Sequence, residues 1–403
     1  MREAAHGVGL ISTFQPIVSL PDQLTIGYEA LARWPRLDVV PESVFEYAAR
    51  HAQLDDLDTD CIRSAAVNAA IAGLPPGTAL FINTEPTSDA IDGMDFTAAH
   101  HGALRVVFEL TERNLLGHPA ALLAKAALLR ERGFCIAIDD VGTDDRCLAA
   151  LDLLEPEVIK LHLHRTQAAP LRRRARLMSA VLAHHDRTGA HILAEGIECQ
   201  RDLDIAHAIG AHLGQGFLFG RPGCLVADDV DARWRPPAVP HRQYHALAPS
   251  PFHIVAGRSR SRLLQKPALL QLTRYIEHQA AQCGDASMML AAVQRVEFFD
   301  GPTQRIYTRL TDTAPWVVVF GDGVPSALAR GVRGVALSPD DPMRREWIVL
   351  TLGTYSACAL VGREREESVN SGRPEREREF DTVLTYDRPT VLAAATAMMQ
   401  HMT

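Results

Sequence analysis

Each short apolar run in the N-terminal half of this chain stops at a side chain able to hold a cation or a phosphate. Ile26-Gly27-Tyr28 ends at Glu29, Leu80-Phe81-Ile82 at Asn83, and Val106-Val107-Phe108 at Glu109. Ile136-Ala137-Ile138 ends at the pair Asp139-Asp140, Val158-Ile159 at Lys160, and Ile192-Leu193-Ala194 at Glu195, while the last run begins at Gln215. Between several runs lie helical patterns: Ser43–Leu54, Asp60–Ala72, Ala120–Arg132, Arg172–Arg187 and Asp202–Ile209, with Gly133 and Gly189 where C-terminal caps belong. Strand alternating with helix predicts an α/β domain built on a parallel sheet, and its length suits a (β/α) barrel. A doubly wound open sheet is the alternative, but no G-x-G-x-x-G follows the first strand.

One carboxylate after a strand is usually a helix N-cap. Carboxylates, an amide, a lysine and a glutamine at successive strand ends read differently, because a barrel gathers those ends at one mouth. Hard oxygen donors without a His/Cys cluster suit Mg²⁺ or Mn²⁺ rather than structural zinc. Adjacent aspartates can share two cations, and two metals about 3.5–4 Å apart can clamp a phosphodiester and supply hydroxide for in-line attack. Lys160 is placed to orient that water or to neutralise developing charge. The residue types alone therefore suggest a metal-dependent phosphoryl-transfer or hydrolase site.

Composition narrows the class. Of 403 residues, 47% are hydrophobic and 22% charged, which argues against disorder and small disulfide scaffolds. With 41 Lys+Arg against 49 Asp+Glu the net charge is −8, so no general attraction to a nucleic-acid polymer or an anionic membrane is expected. No apolar run is long enough to span a membrane, and no secretory signal is expected at the N-terminus. The seven cysteines are scattered without C-x-x-C, which reads as reduced thiols in a cytoplasmic protein. Prolines between Pro236 and Pro249 mark a linker at 233–250, separating a domain at 1–232 from one at 251–403.

The ordered motifs resemble the EAL domain family of cyclic di-GMP phosphodiesterases and their degenerate relatives. Glu29-Ala30-Leu31 is the name-giving triad, preceded by Gln15-Pro16-Ile17-Val18. Asn83 and Pro86 match N-x-x-P, Glu109 to Glu112 match E-x-T-E, and Asp139-Asp140 opens the DDFG-type loop. Lys160, Ala194 to Glu198, Gln215-Gly216 and Gly220-Arg221-Pro222 complete the set over residues 10–225. The resemblance implies a modified TIM (β/α)8 barrel with one antiparallel strand. It implies a two-metal site of Mg²⁺ or Mn²⁺, with Glu29, Asn83, Glu109, Asp139 and Asp140 as ligands. Glu195 would help hold the second metal. Lys160 and Gln215 would position the water and the site, and Glu112 would brace the loop after the aspartates. Gln15, Leu31, Arg33 and Pro222 would contact cyclic di-GMP, Arg33 near a phosphate. The implied reaction opens cyclic di-GMP to linear pGpG, and the implied assembly is a homodimer.

Two departures stand out. The loop usually reading DDFGTGYSS runs here Asp139-Asp140-Val141-Gly142-Thr143-Asp144-Asp145-Arg146-Cys147. In the family that loop couples the metal site to the dimer interface. The usual K-x-D is Lys160-Leu161-His162. A hydrogen-bonding replacement is the expectation for His162, and metal ligation the alternative. Altered support of this kind weakens metal affinity or rate by about 10–100-fold. The leading expectation is thus a phosphodiesterase, with a cyclic di-GMP receptor that does not hydrolyse its ligand as the alternative.

The C-terminal part reads as a mixed α/β domain: an amphipathic helix at Arg262–Ala281, strands at Ser287–Ala292, Trp316–Phe320, Val335–Leu337 and Trp347–Leu352, and a closing helix at Thr390–Met402. Alternating Arg and Glu at 363–379 reads as a solvated loop. The segment resembles the DICT domain, a sensory module, through SRLLQKPALLQLTRYIE, VEFFDGPTQRIYTRL and REWIVLTLGTYSACALVGRE. A signal of unknown identity is expected to act there.

Overall fold

A computed structural model describes residues 1–91, 104–111, 117–142, 148–225, 230–237, 250–283, 286–312, 314, 316–366 and 374–402. The chain forms two compact units, Met1–Cys147 with Leu154–Pro240, and Leu148–Leu153 with His241–Thr403.

In the first unit eight strands close into a barrel in chain order. They are β1 (Ile11–Ser19), β2 (Thr25–Arg33), β3 (Ala79–Asn83), β4 (Arg105–Thr111), β5 (Cys135–Asp139), β6 (Val158–His162), β7 (His191–Glu195) and β8 (Leu213–Gln215). β1 runs antiparallel to both β2 and β8, and the remaining neighbours are parallel. The expected barrel with one reversed strand is therefore the observed fold. The reversal follows from the short connection at residues 20–24, which makes a hairpin where a parallel pair would need a helical crossover.

Strand alternation does the rest. Ile17, Ala79, Phe81, Val107, Ala137, Val158, Leu193 and Leu213 fill the interior as one buried cluster. Two residues further along each strand the same face carries Asn83, Glu109, Asp139, Lys160, Glu195 and Gln215. Helix C-termini behave as expected, with Gly189 left-handed at φ +77° after Leu171–Thr188 and Gly133 at φ +78° after Pro119–Glu131.

The other end of the barrel holds a histidine cluster. The His191 ring stacks on His212 at 5.1 Å, His212 lies 4.6 Å from His185, and Trp234 Nε1 donates to His191 Nδ1 at 3.1 Å. Burial, then the His212 and His185 charges, pushes His191 down to about 4. The folded protein thus binds fewer protons than the unfolded chain between about pH 6.5 and 4, so this contribution to stability shrinks as pH falls through that window. Asp58, which burial pushes up to about 6, acts in the opposite sense and is common to wild type and variant. His191→Asn keeps an acceptor for Trp234 but cannot be protonated. Denaturant titrations should show the wild type losing up to about 3 kcal/mol relative to this variant on going from pH 7 to 4. A pH-independent difference would remove His191 as the cause.

The second unit carries a mixed sheet. Its strands are β9 (Arg262–Gln265), β10 (Ala286–Arg295), β11 (Trp316–Asp322), β12 (Ala327–Ala329), β13 (Val332–Ala336), β14 (Glu346–Gly353), β15 (Ala357–Glu364) and β16 (Glu379–Thr385). Their order is β12-β13-β11-β10-β14-β15-β16-β9, with β10, β11 and β13 parallel to one another. The helix expected from Arg262 starts at Lys266 instead, because Pro267 belongs in a first helical turn and disfavours helix before it. Arg262–Gln265 pairs with β16 as an edge strand. The Arg/Glu run is not all loop: Arg363 and Glu364 end β15 and Glu379 begins β16, Arg365 pairs with Asp381 and Arg378 with Glu364, and residues 367–373 lie outside the described residues. Among the described residues no helix is long and apolar enough to cross a membrane.

Candidate active site

The strand ends converge on Lys160. Its side chain is 1% exposed, and the ammonium lies 2.8 Å from Glu109, 3.0 Å from Glu195, and 3.5 Å from both Glu29 and Asp139. Glu29 comes from β2, Glu109 from β4, Asp139 from β5 and Glu195 from β7, so barrel closure alone makes them neighbours. Asn83 Nδ2 donates to Glu29 Oε1 at 3.2 Å. Gln215 Nε2 donates to Glu29 Oε2 at 2.7 Å and to Gln15 Oε1 at 3.2 Å, and Gln15 Nε2 donates to the Gly220 carbonyl. Gly216 lets the end of β8 approach the Glu195 segment: a Cβ there would stand 2.1 Å from the Ile197 carbonyl oxygen.

One ammonium does not balance these carboxylates. Burial opposes the Lys160 charge, but Asp139, Glu109, Glu195 and Glu29 outweigh it and hold the amine well above its ordinary range. Burial, with the Glu29 charge beside it, pushes Glu109 well above the usual carboxylate range. Burial raises Glu195 to about 8. Glu29 is also buried, yet Lys160 and the Gln215, Glu109 and Asn83 hydrogen bonds hold it below the ordinary value. A cluster of this kind attracts cationic charge.

The donor set fits hard divalent cations: carboxylates and an amide oxygen, converging, with surplus negative charge. Both Glu109 side-chain oxygens are buried without a well-aligned hydrogen bond among the described residues, as for donors that still need a partner. As the side chains stand, no three His, Cys, Asp or Glu among the described residues are set to hold an ion, and Lys160 occupies the centre they face.

The remaining predicted residues fall around this centre. Asp140 follows Asp139 in a left-handed conformation, φ +58°, with its amide donating to Asp139 Oδ1 at 2.7 Å. Its own carboxylate accepts from Arg165 Nη1 at 2.6 Å, a partner no sequence pattern suggested. Leu31 and Arg33 continue along β2 on the Glu29 face, both half-buried, and Arg33 donates to the Ala32 carbonyl. Pro222 is half-buried just past Gly220, beside Arg221, whose guanidinium lies 4.0 Å over the Phe217 ring. Glu112 and the loop from Thr143 to Cys147 lie outside the described residues. His162 departs from the expected hydrogen-bonding replacement at one nitrogen: Nδ1 is buried and has no hydrogen-bond partner among the described residues.

A family model described as EAL domain matches residues 1–222, more than half of the chain. The chain belongs to the EAL domain family. A second model, for a sensory domain in diguanylate cyclases and two-component systems, matches residues 253–365, placing a DICT domain after the EAL barrel. The cyclic di-GMP phosphodiesterase RocR of Pseudomonas aeruginosa is 30% identical over 224 residues, covering 52% of this chain and 56% of that one. PdeG of Escherichia coli, named a probable cyclic di-GMP phosphodiesterase, is 28% identical over 239 residues, covering 55% and 46%. The chain thus spans about half the length of these curated relatives. Klebsiella pneumoniae BlrP1, solved as a calcium and cyclic di-GMP complex, is 25% identical with a TM-score of 0.47, over 54% of this chain and 56% of that one.

Proposed function

We propose that the EAL barrel hydrolyses cyclic di-GMP to pGpG with two divalent cations, Mg²⁺ or Mn²⁺, and that the DICT domain regulates it. The observation that carries this reading is the surplus of buried carboxylate around Lys160. Glu29, Asn83, Glu109, Asp139 and Asp140 would hold the cations, with Glu195 on the second. The metals would supply an activated water and charge neutralisation at the phosphate. Water adds its oxygen to phosphorus as one P–O3′ bond breaks; the water's proton leaves and the released alkoxide takes one up.

The chain's own residues have separate tasks. Gln215 links Gln15 to Glu29 and fixes the carboxylate that faces the reacting centre. Lys160 holds the carboxylates together and neutralises charge that builds on the phosphate. Arg33 and Leu31, further out on the same strand face, would take a phosphate and a base of the substrate, with Pro222 at the rim. Glu112 would steady the loop after Asp140. A cytoplasmic location and a homodimer belong to the same reading.

A receptor that binds cyclic di-GMP without cleaving it is favoured by a single contact, the Arg165–Asp140 ion pair, which engages one proposed ligand. Purified full-length protein incubated with cyclic di-GMP and Mg²⁺ or Mn²⁺ should yield pGpG on chromatographic separation. Folded protein that makes no product in either metal would overturn the hydrolase reading. Retained cyclic di-GMP binding in that case would establish the receptor.

A further inference from the structure

We propose that the His162 imidazole supplies a nitrogen ligand to the divalent cation of this site, shifting its preference from magnesium toward manganese and other borderline ions. This rests on the metal-site reading above and deepens it.

The placement comes from β6. Lys160 and His162 are two residues apart on one strand, so their side chains leave the same face, the one that lines the barrel. His162 is also the register partner of Glu195 on the parallel neighbour β7, and partners across parallel strands project to the same side.

The ring's surroundings leave a donor unused. Nδ1 is shielded from solvent and meets no hydrogen-bond partner among the described residues. The Cε1 and Nδ1 edge lies against Gly196, where a Cβ would stand 3.3 Å from Cε1 and 3.6 Å from Nδ1, so the neighbour there contributes no polar side chain. His164 meets the ring edge-on, with ring centroids 6.0 Å apart. Leaving a buried polar nitrogen without a partner costs stability, and a cation held there would remove that cost. Imidazole nitrogen favours borderline transition ions, whereas magnesium selects oxygen.

The test reads the ligand directly. Full-length protein with less than one equivalent of Mn²⁺ is examined by electron spin-echo envelope modulation, without nucleotide. The wild type should show ¹⁴N modulation from a coordinated imidazole. His162→Asp should retain Mn²⁺ but lose the modulation, and its affinity ratio for Mn²⁺ over Mg²⁺ by calorimetry should fall about tenfold. His162→Gln gives the same readout should the aspartate variant fail to fold. Modulation that survives in either variant, or Mn²⁺ bound by the wild type without modulation, overturns the ligand assignment and leaves the metal site standing. Wild type that binds no Mn²⁺, or binds it as tightly as Glu29→Ala does, overturns the metal site and this assignment together.

Discussion

Glu109→Gln should lower pGpG formation about a thousandfold while making the metal-free EAL barrel more stable. The side chain is fully buried, and its carboxyl sits well above the ordinary range because burial and the neighbouring Glu29 charge both disfavour ionisation. Without a divalent cation that group must either stay charged against Glu29 or take up a proton, and both cost stability; the neutral amide avoids both while still facing Lys160, 2.8 Å away in the native protein. The substrate reaction needs the opposite, a charged oxygen donor that a cation can use. Loss of one metal ligand removes about 4 kcal/mol of transition-state stabilisation, about a thousandfold in rate. Melting in chelator should rise, by about 2–4 °C for each kcal/mol gained. Added Mn²⁺ should raise the melting temperature of the wild type and not of the variant. Turnover within tenfold of wild type would show that Glu109 holds no metal.

Lys160→Met should have the reverse signature. The ammonium is the only cation shown within 4 Å of Glu29, Glu109, Asp139 and Glu195 among the described residues. Methionine fills a similar volume but leaves these groups facing one another. Breaking a buried ion cluster by removing one partner costs about 3–5 kcal/mol, so denaturant midpoints in chelator should fall by that much. Divalent cation takes over the missing charge, and Mn²⁺ should stabilise the variant more than it stabilises the wild type. Turnover should fall even with saturating metal, since the group that neutralises phosphate charge is gone. Unchanged stability in chelator would mean that the carboxylates are already neutral and that Lys160 does not hold them.

These two variants separate what a chain can announce locally from what it cannot. The period of two in each strand, with an apolar run closing on Glu29, Asn83, Glu109, Asp139, Lys160 or Glu195, was legible because strand alternation is a property of neighbouring residues. So were the left-handed caps at Gly133 and Gly189. The same reasoning misplaced the start of the helix at Lys266, where the apolar spacing of Leu263 and Leu264 fits a helix and an edge strand alike.

What the linear order left open was which of these side chains touch. Lys160 meets carboxylates from four different strands, and the distances depend on barrel closure and on the register between strands far apart in sequence. The Arg165 contact to Asp140, and a His162 Nδ1 without a hydrogen-bond partner among the described residues, arise in the same way. The sequence by itself determined the alternation and the residue types that a barrel would bring to its mouth. Only the tertiary structure decided that one lysine stands among them and that one histidine nitrogen meets no partner among the described residues, because pairing is set by distances in space and not by spacing along the chain.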